Sequence, residues 1–147
     1  MFYFQSNALK KAHQILSKLH HSDSWYQEKT DIEWVIKKNL MELLLHIDLG
    51  NTDLVESKFL SFKRRHFKYL KSIKQDRAIT YIALVEQHYK NPENSTSTAF
   101  KTLVENSFNW VSHQEEDIFI MSYYAWLKSK IFKTPLYDTT LELVKHP

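Results

Sequence analysis

The 147-residue sequence contains a single glycine, Gly50, and no cysteine. Phosphate-binding loops, dinucleotide-binding fingerprints and the nucleophile turn of hydrolases all need several glycines, so these classes of site are excluded. Without cysteine there is no thiol nucleophile, disulfide or thiolate metal site, and the composition is compatible with a reducing compartment. We therefore expect a cytoplasmic protein that carries no cofactor.

Long apolar runs and secretory signals are also missing. The longest apolar-looking stretch, Ile118 to Leu127, contains Ser122 and two tyrosines and falls short of the roughly 20 residues that span a bilayer. The N-terminus has no basic region followed by an apolar core and a small-residue cleavage site. We expect no membrane partner.

The sequence predicts an all-α fold. Leu and Lys are frequent, strict two-residue alternation is scarce, and the dipeptides of tight β-hairpins do not occur. Helical spacing of apolar residues predicts about seven helices. Their apolar positions run, in order, over residues 8–19, 32–47, 55–70, 79–89, 100–111, 120–131 and 136–144, and an earlier start near Trp25 is left open for the second helix.

The turn signals suggest a repeat. Gly50, Pro92 and Pro135 are 42 and 43 residues apart, and two capping boxes begin at Thr30 and Ser112. Known helical repeats have periods of about 34 to about 47 residues. The chain is therefore expected to form a right-handed stack of antiparallel α-hairpins, and a closed helical bundle is the alternative.

One hairpin resembles a known family. Leu49-Gly50-Asn51, followed by Val55 and Phe59, resembles the turn and second-helix start of a tetratricopeptide repeat. Leu43 stands where that family has a small residue, and Val55 stands where alanine is usual. The resemblance implies a scaffold that binds proteins or peptides along a concave face, and it implies no catalytic residue.

Residues 3–8, YFQSNA, resemble the end of a tobacco etch virus protease site followed by a vector remnant. We expect residues 1–7 to be vector-derived or poorly ordered, although the helical pattern that continues from Ala8 is compatible with a native start. Residues 8–147 are expected to form one helical-repeat domain, the C-terminal part of a longer array.

The first predicted helix has no preceding partner helix in that array. Its apolar residues should then form an exposed strip, which a second copy of the chain could cover. The strip comprises Ala8, Ala12, Ile15, Leu16 and Leu19. Either homodimerisation through this helix or the preceding residues of a longer native protein is expected to cover the strip.

The segment 58–77 is strongly basic, with eight Lys or Arg residues against one acid, whereas the whole chain carries a net charge of only +3. Interleaved aromatic residues could stack on bases beside phosphate contacts, but we favour aromatic residues in the core and lysines on a solvated face. Arg64 and Arg65 are the best anion-binding candidates. The candidate binding residues of this segment are Lys63, Arg64, Arg65, Lys68 and Lys71.

Trp25 and Tyr26 follow a polar loop, and we expect them to be partly exposed as interface anchors. Trp34 and Trp126 are expected in the core. The eight histidines lack metal-binding spacing, and the three acids at 115–117 suit a helix start better than paired-carboxylate catalysis. We expect neither a metal site nor a catalytic site. The predicted function is a non-enzymatic scaffold for a protein or peptide, and the alternative is anion or nucleic-acid binding through 58–77.

Overall fold

The computed structural model describes residues 1–108 and 117–145, and all regular secondary structure in these ranges is helical, which confirms the all-α prediction. A short 3₁₀ helix covers Asn94–Thr96. The α-helices of the described ranges are α1 (Phe2–Gln5), α2 (Leu9–Leu16), α3 (Asp23–Lys29), α4 (Ile32–Leu49), α5 (Thr52–Ser72), α6 (Asp76–Lys90), α7 (Thr98–Ser107), α8 (Ile118–Phe132) and α9 (Leu136–Lys145).

The chain divides into two compact units, Met1–Tyr69 and Leu70–Pro147, with the boundary inside α5. The first unit comprises α1 to α4 and most of α5. The end of α5 and the helices α6 to α9 form the second.

In the first unit, α2 packs against α1 and α4, and α3 packs against α4. Gly50 ends α4 in the left-handed conformation, with φ +72°, which is the conformation for which glycine is favoured. Asn39 of α4 contacts His66 of α5, and Glu42 contacts Lys58. The residue that comes later in α4, Glu42, meets the residue that comes earlier in α5, Lys58. The two helices are therefore antiparallel neighbours, as predicted.

Both α4 and α5 contribute buried apolar residues to the first unit. On α5, the predicted core residues Val55, Phe59 and Phe62 are buried, and His66 takes the next position on the same face. A spacing of three or four residues places all four on one side of a helix. On α4 the residues that are almost completely buried are Val35, Leu43, Leu44 and Leu45.

In the second unit, α6 packs against α7, and α8 packs against α9. Trp126 of α8 is fully buried, as predicted. The hydroxyl of Tyr81 on α6 donates to the carbonyl oxygen of Tyr123 on α8 at 2.7 Å. Met121 of α8 packs with Leu143 of α9 in an apolar cluster. In the described part of the chain, no helix has the length and apolarity needed to cross a bilayer.

The predicted cap of α4 and some of the predicted helix ends are wrong. The cap of α4 is Asp31, whose carboxylate accepts from Trp34 N at 2.7 Å, whereas the hydroxyl of Thr30 donates to the carbonyl of Tyr26 at the end of α3. A carboxylate is a stronger acceptor for the helix N-terminus than a hydroxyl. The predicted fifth helix corresponds to α7, which ends at Ser107 and not at residue 111. The capping box at 112–115, the acids Glu115 and Glu116, and Trp110 lie outside the described residues.

Residues at the N-terminus take part in the first unit. Phe4 of α1 is 2% exposed, and Ala12 of α2 is buried, whereas Leu16 and Leu19 are half-buried. Of the predicted apolar strip, only Ile15 is exposed, at 48%. The strip is narrower than predicted because α2 packs against two helices of its own unit.

Candidate functional site

A group of polar side chains lies where α3, α4 and α5 meet. We call it the polar cluster, and α3 contributes one member, α4 three and α5 three. Its members are Asp23, Lys38, Asn39, Glu42, Lys58, Arg65 and His66.

Positive and negative groups alternate along the cluster. Lys38 Nζ lies 3.2 Å from Asp23 Oδ1 and 3.1 Å from Glu42 Oε1. Arg65 Nη1 lies 2.8 Å from Asp23 Oδ2, and Lys58 Nζ lies 3.2 Å from Glu42 Oε2. Each of the two carboxylates is therefore held between two cations, and these ion pairs connect the three helices.

Burial and pairing set the charge states. Burial alone would lower the pKa of Lys38, whose side chain is 8% exposed, but Glu42 and Asp23 raise it above its usual value. Burial alone would raise the pKa of Asp23, but the hydrogen bonds from Asn39 and Lys38 and the charges of Lys38 and Arg65 hold it below its usual value. General acids and bases work best with a pKa near the operating pH. The cluster is therefore suited to joining helices rather than to proton transfer.

Asn39 connects the ion pairs to His66. Its Nδ2 lies 2.9 Å from Asp23 Oδ2 and 3.0 Å from His66 Nε2. Because the Asp23 carboxylate only accepts, the amide nitrogen is the donor to both neighbours. His66 is 4% exposed, and its Nδ1 has no hydrogen-bond partner among the described residues.

The two predicted aromatic anchors behave differently. Trp25 is 38% exposed and stacks on His21 with ring centroids 3.9 Å apart. Tyr26 is buried, its ring 5.2 Å from that of Trp34. The expectation that Tyr26 is partly exposed is therefore wrong, because the helix α3 turns adjacent residues to different sides.

The structure divides the basic segment into paired and unpaired residues. Lys58 and Arg65 belong to the polar cluster, and Lys63 is half-buried with interactions of its own. Arg64, Lys68 and Lys71 are exposed and have no partner among the described residues. Only part of the predicted positive charge is therefore available to a ligand.

Lys71 lies in the second unit. Arg64 and Lys68 lie in the first unit, on what we call the outer face of α5, formed by Asp53, Glu56, Leu60, Arg64 and Lys68. These five residues are exposed, and they lie opposite the buried face that carries Val55, Phe59 and Phe62. The four charged members form no ion pair among the described residues. Leu60, at the centre, is 70% exposed.

Leu60, Asn39 and His66 were not among the residues predicted from the sequence. For Leu60 a signal exists, since helical spacing from Val55, Phe59 and Phe62 places it on the solvent side. For Asn39 and His66 there is none, because helical spacing does not identify a partner 27 residues away.

Among the described residues, no three or more metal-ligating side chains lie together. Searches of protein-family models, of characterised proteins and of solved structures find no match to this chain. Its functional assignment therefore depends on the chemistry of these surfaces.

Proposed function

We propose that this chain is a non-enzymatic helical-repeat scaffold, built of tetratricopeptide-like α-hairpins and working in the cytoplasm, that binds a protein partner through the outer face of α5. The observation that carries the proposal is the exposure of Leu60, at 70%, in the middle of four charged side chains that pair with no other residue in the described part of the chain. An apolar centre with a charged rim is the usual anatomy of a protein interface.

The polar cluster supports this role by holding the hairpin rigid. Asp23 and Glu42 fix α3 and α5 to α4 through Lys38, Lys58 and Arg65. A surface that is ordered before binding loses less conformational entropy when a partner docks.

Nucleic-acid binding is less well supported. Lys58 and Arg65 are neutralised by acids of α3 and α4, and Phe59 and Phe62 are buried, so they are not available to stack on bases. Asp53 and Glu56 on the outer face would repel phosphates. The unpaired Arg64, Lys68 and Lys71 are the residues through which such binding would have to occur.

Site-specific crosslinking tests the proposal. A photoreactive phenylalanine analogue placed at position 60 should crosslink to a protein in a cell extract, whereas the same analogue at exposed position 28 of α3 should not. The crosslink should disappear when Arg64→Glu and Lys68→Glu are added, because these changes reverse half the charges of the outer face. Equal crosslinking from both positions would contradict the proposal.

A titration with RNA, single-stranded DNA and duplex DNA at two salt concentrations tests the alternative. Affinity that falls steeply with salt and is lost in the Arg64→Ala, Lys68→Ala double variant would favour phosphate binding over protein binding. We expect no such binding.

A further inference from the structure

The charges on the outer face of α5 are arranged symmetrically about Leu60. Glu56 lies four residues before Leu60, and Arg64 lies four residues after it. Asp53 lies seven residues before and Lys68 eight residues after. With a rise of about 1.5 Å per residue, the inner pair is about 6 Å and the outer pair about 10 to 12 Å from Leu60 along the helix.

Because the acids lie on one side of Leu60 and the bases on the other, the face is complementary to itself when turned end for end. We propose, building on the function proposed above, that the partner of this face is a second copy of the chain, with the two α5 helices antiparallel across a two-fold axis at Leu60. Asp53 then faces Lys68 of the second copy, and Glu56 faces Arg64 of the second copy. Leu60 meets Leu60 at the axis.

A second copy of the chain fits the charges of the outer face better than an acidic peptide or a phosphate backbone does. In a two-fold interface each contact occurs twice, so all four charged residues of both copies are paired. An acidic peptide would pair with Arg64 and Lys68 but would be repelled by Asp53 and Glu56. A phosphate backbone would meet the same repulsion.

The dimer should be weak and sensitive to salt. Exposed ion pairs contribute little individually and are screened by salt. They set the antiparallel direction, whereas the contact between the two leucines removes an exposed apolar side chain from water. We therefore expect the dissociation constant to rise with ionic strength and to rise further in Leu60→Asp.

Two variants with reversed charges test this antiparallel arrangement. Sedimentation and energy transfer between labelled chains measure how strongly each variant dimerises. Lys68→Glu places two acids opposite each other in its own dimer, and Asp53→Lys places two bases opposite each other. Each single variant should dimerise at least about tenfold more weakly than the wild type, since like charges facing each other are strongly unfavourable. A mixture of the two variants should form a heterodimer, because every facing pair is again of opposite charge.

The double variant carrying both Asp53→Lys and Lys68→Glu should recover homodimerisation for the same reason. Lys29→Glu is the matched control, because it makes the same charge change at an exposed position on α3 and should leave dimerisation unchanged. Circular dichroism of each variant checks that the helices are retained.

Three outcomes would overturn the second copy as partner: a wild-type chain that is monomeric at roughly millimolar concentration, single variants that dimerise as well as the wild type, or a mixture that fails to recover the dimer. If position 60 crosslinks to a different protein while the chain is monomeric, the scaffold function stands and self-pairing is wrong. If position 60 crosslinks to nothing and the chain is monomeric, both are wrong.

Discussion

Asn39 holds His66 in its neutral form, because the amide Nδ2 lies 3.0 Å from the imidazole Nε2 and needs an acceptor there. A protonated imidazole has a hydrogen on both ring nitrogens and accepts no hydrogen bond. Protonation of His66 would therefore break this contact or turn the amide of Asn39, and turning the amide would remove its donation to Asp23.

Acid should destabilise the first unit through His66. Burial lowers the pKa of His66, the charges of Arg65 and Lys38 lower it further, and the charge of Asp23 opposes them. The unfolded chain, with an ordinary histidine pKa of about 6.5, takes up the proton first. Stability should therefore be complete above about pH 6.5 and fall as the pH drops below it, as measured by urea unfolding at a series of pH values.

His66→Gln separates this effect from others, since its side-chain oxygen still accepts from Asn39 and does not titrate. The variant should lose less stability than the wild type between pH 7 and pH 5.5. Burial and the charges of Lys58 and His13 also lower the pKa of His46. Adding His46→Gln to the His66→Gln variant should therefore make the free energy of unfolding depend still less on pH. If the stability of His66→Gln depends on pH in the same way as that of the wild type, protonation of His66 is not the cause of the loss of stability in acid.

Asp23→Asn should destabilise the fold by about 1.5 to 3 kcal/mol, the range for hydrogen bonds to charged groups. The substitution removes the negative charge that Lys38 and Arg65 share. Thermal or urea unfolding measures the loss. Glu28→Gln makes the same chemical change at an exposed position of α3 and should change stability by less than about 0.5 kcal/mol; similar losses in both variants would contradict a special role for Asp23.

The predictable part of the fold is the part that depends on local pattern. The spacing of Val55, Phe59 and Phe62 identifies the buried face of α5, and Gly50 identifies the turn before it. Both features are determined by residues within one or two helical turns of each other. Local pattern is therefore enough to recognise an antiparallel α4–α5 hairpin.

The polar cluster could not be predicted because its contacts join residues distant in sequence. Asp23 and Arg65 are 42 residues apart, and helical spacing shows which side of a helix a residue occupies but not what it meets. The prediction for Tyr26 is wrong for a local reason. Ser22 accepts from Trp25 N at 3.2 Å and starts α3, and in a helix the adjacent Trp25 and Tyr26 lie on different sides, so that Trp25 is exposed and Tyr26 is buried.

Gly50→Ala should destabilise the hairpin by about 1 to 2 kcal/mol, the cost of a left-handed conformation for a residue with a Cβ. A Cβ at this position would have no atom within 4 Å, so the cost comes from the backbone and not from a clash. Gly50→Asn should cost less, because asparagine tolerates this conformation better than alanine. If alanine and asparagine are equally destabilising in urea unfolding, the backbone explanation is wrong.

Tyr81→Phe should destabilise the second unit by about 1 kcal/mol, the net contribution of a typical buried hydrogen bond. The hydroxyl of Tyr81 donates to the carbonyl of Tyr123 at 2.7 Å in a buried site and connects α6 with α8. Tyr137→Phe removes the hydroxyl of a tyrosine that is 56% exposed, so it should change stability by less than about 0.5 kcal/mol. Hydrogen exchange of the amides in α6 and α8 distinguishes the two, because only Tyr81→Phe removes a bond between these helices. Equal exchange in both variants would show that this hydrogen bond does not limit the opening of α6 and α8.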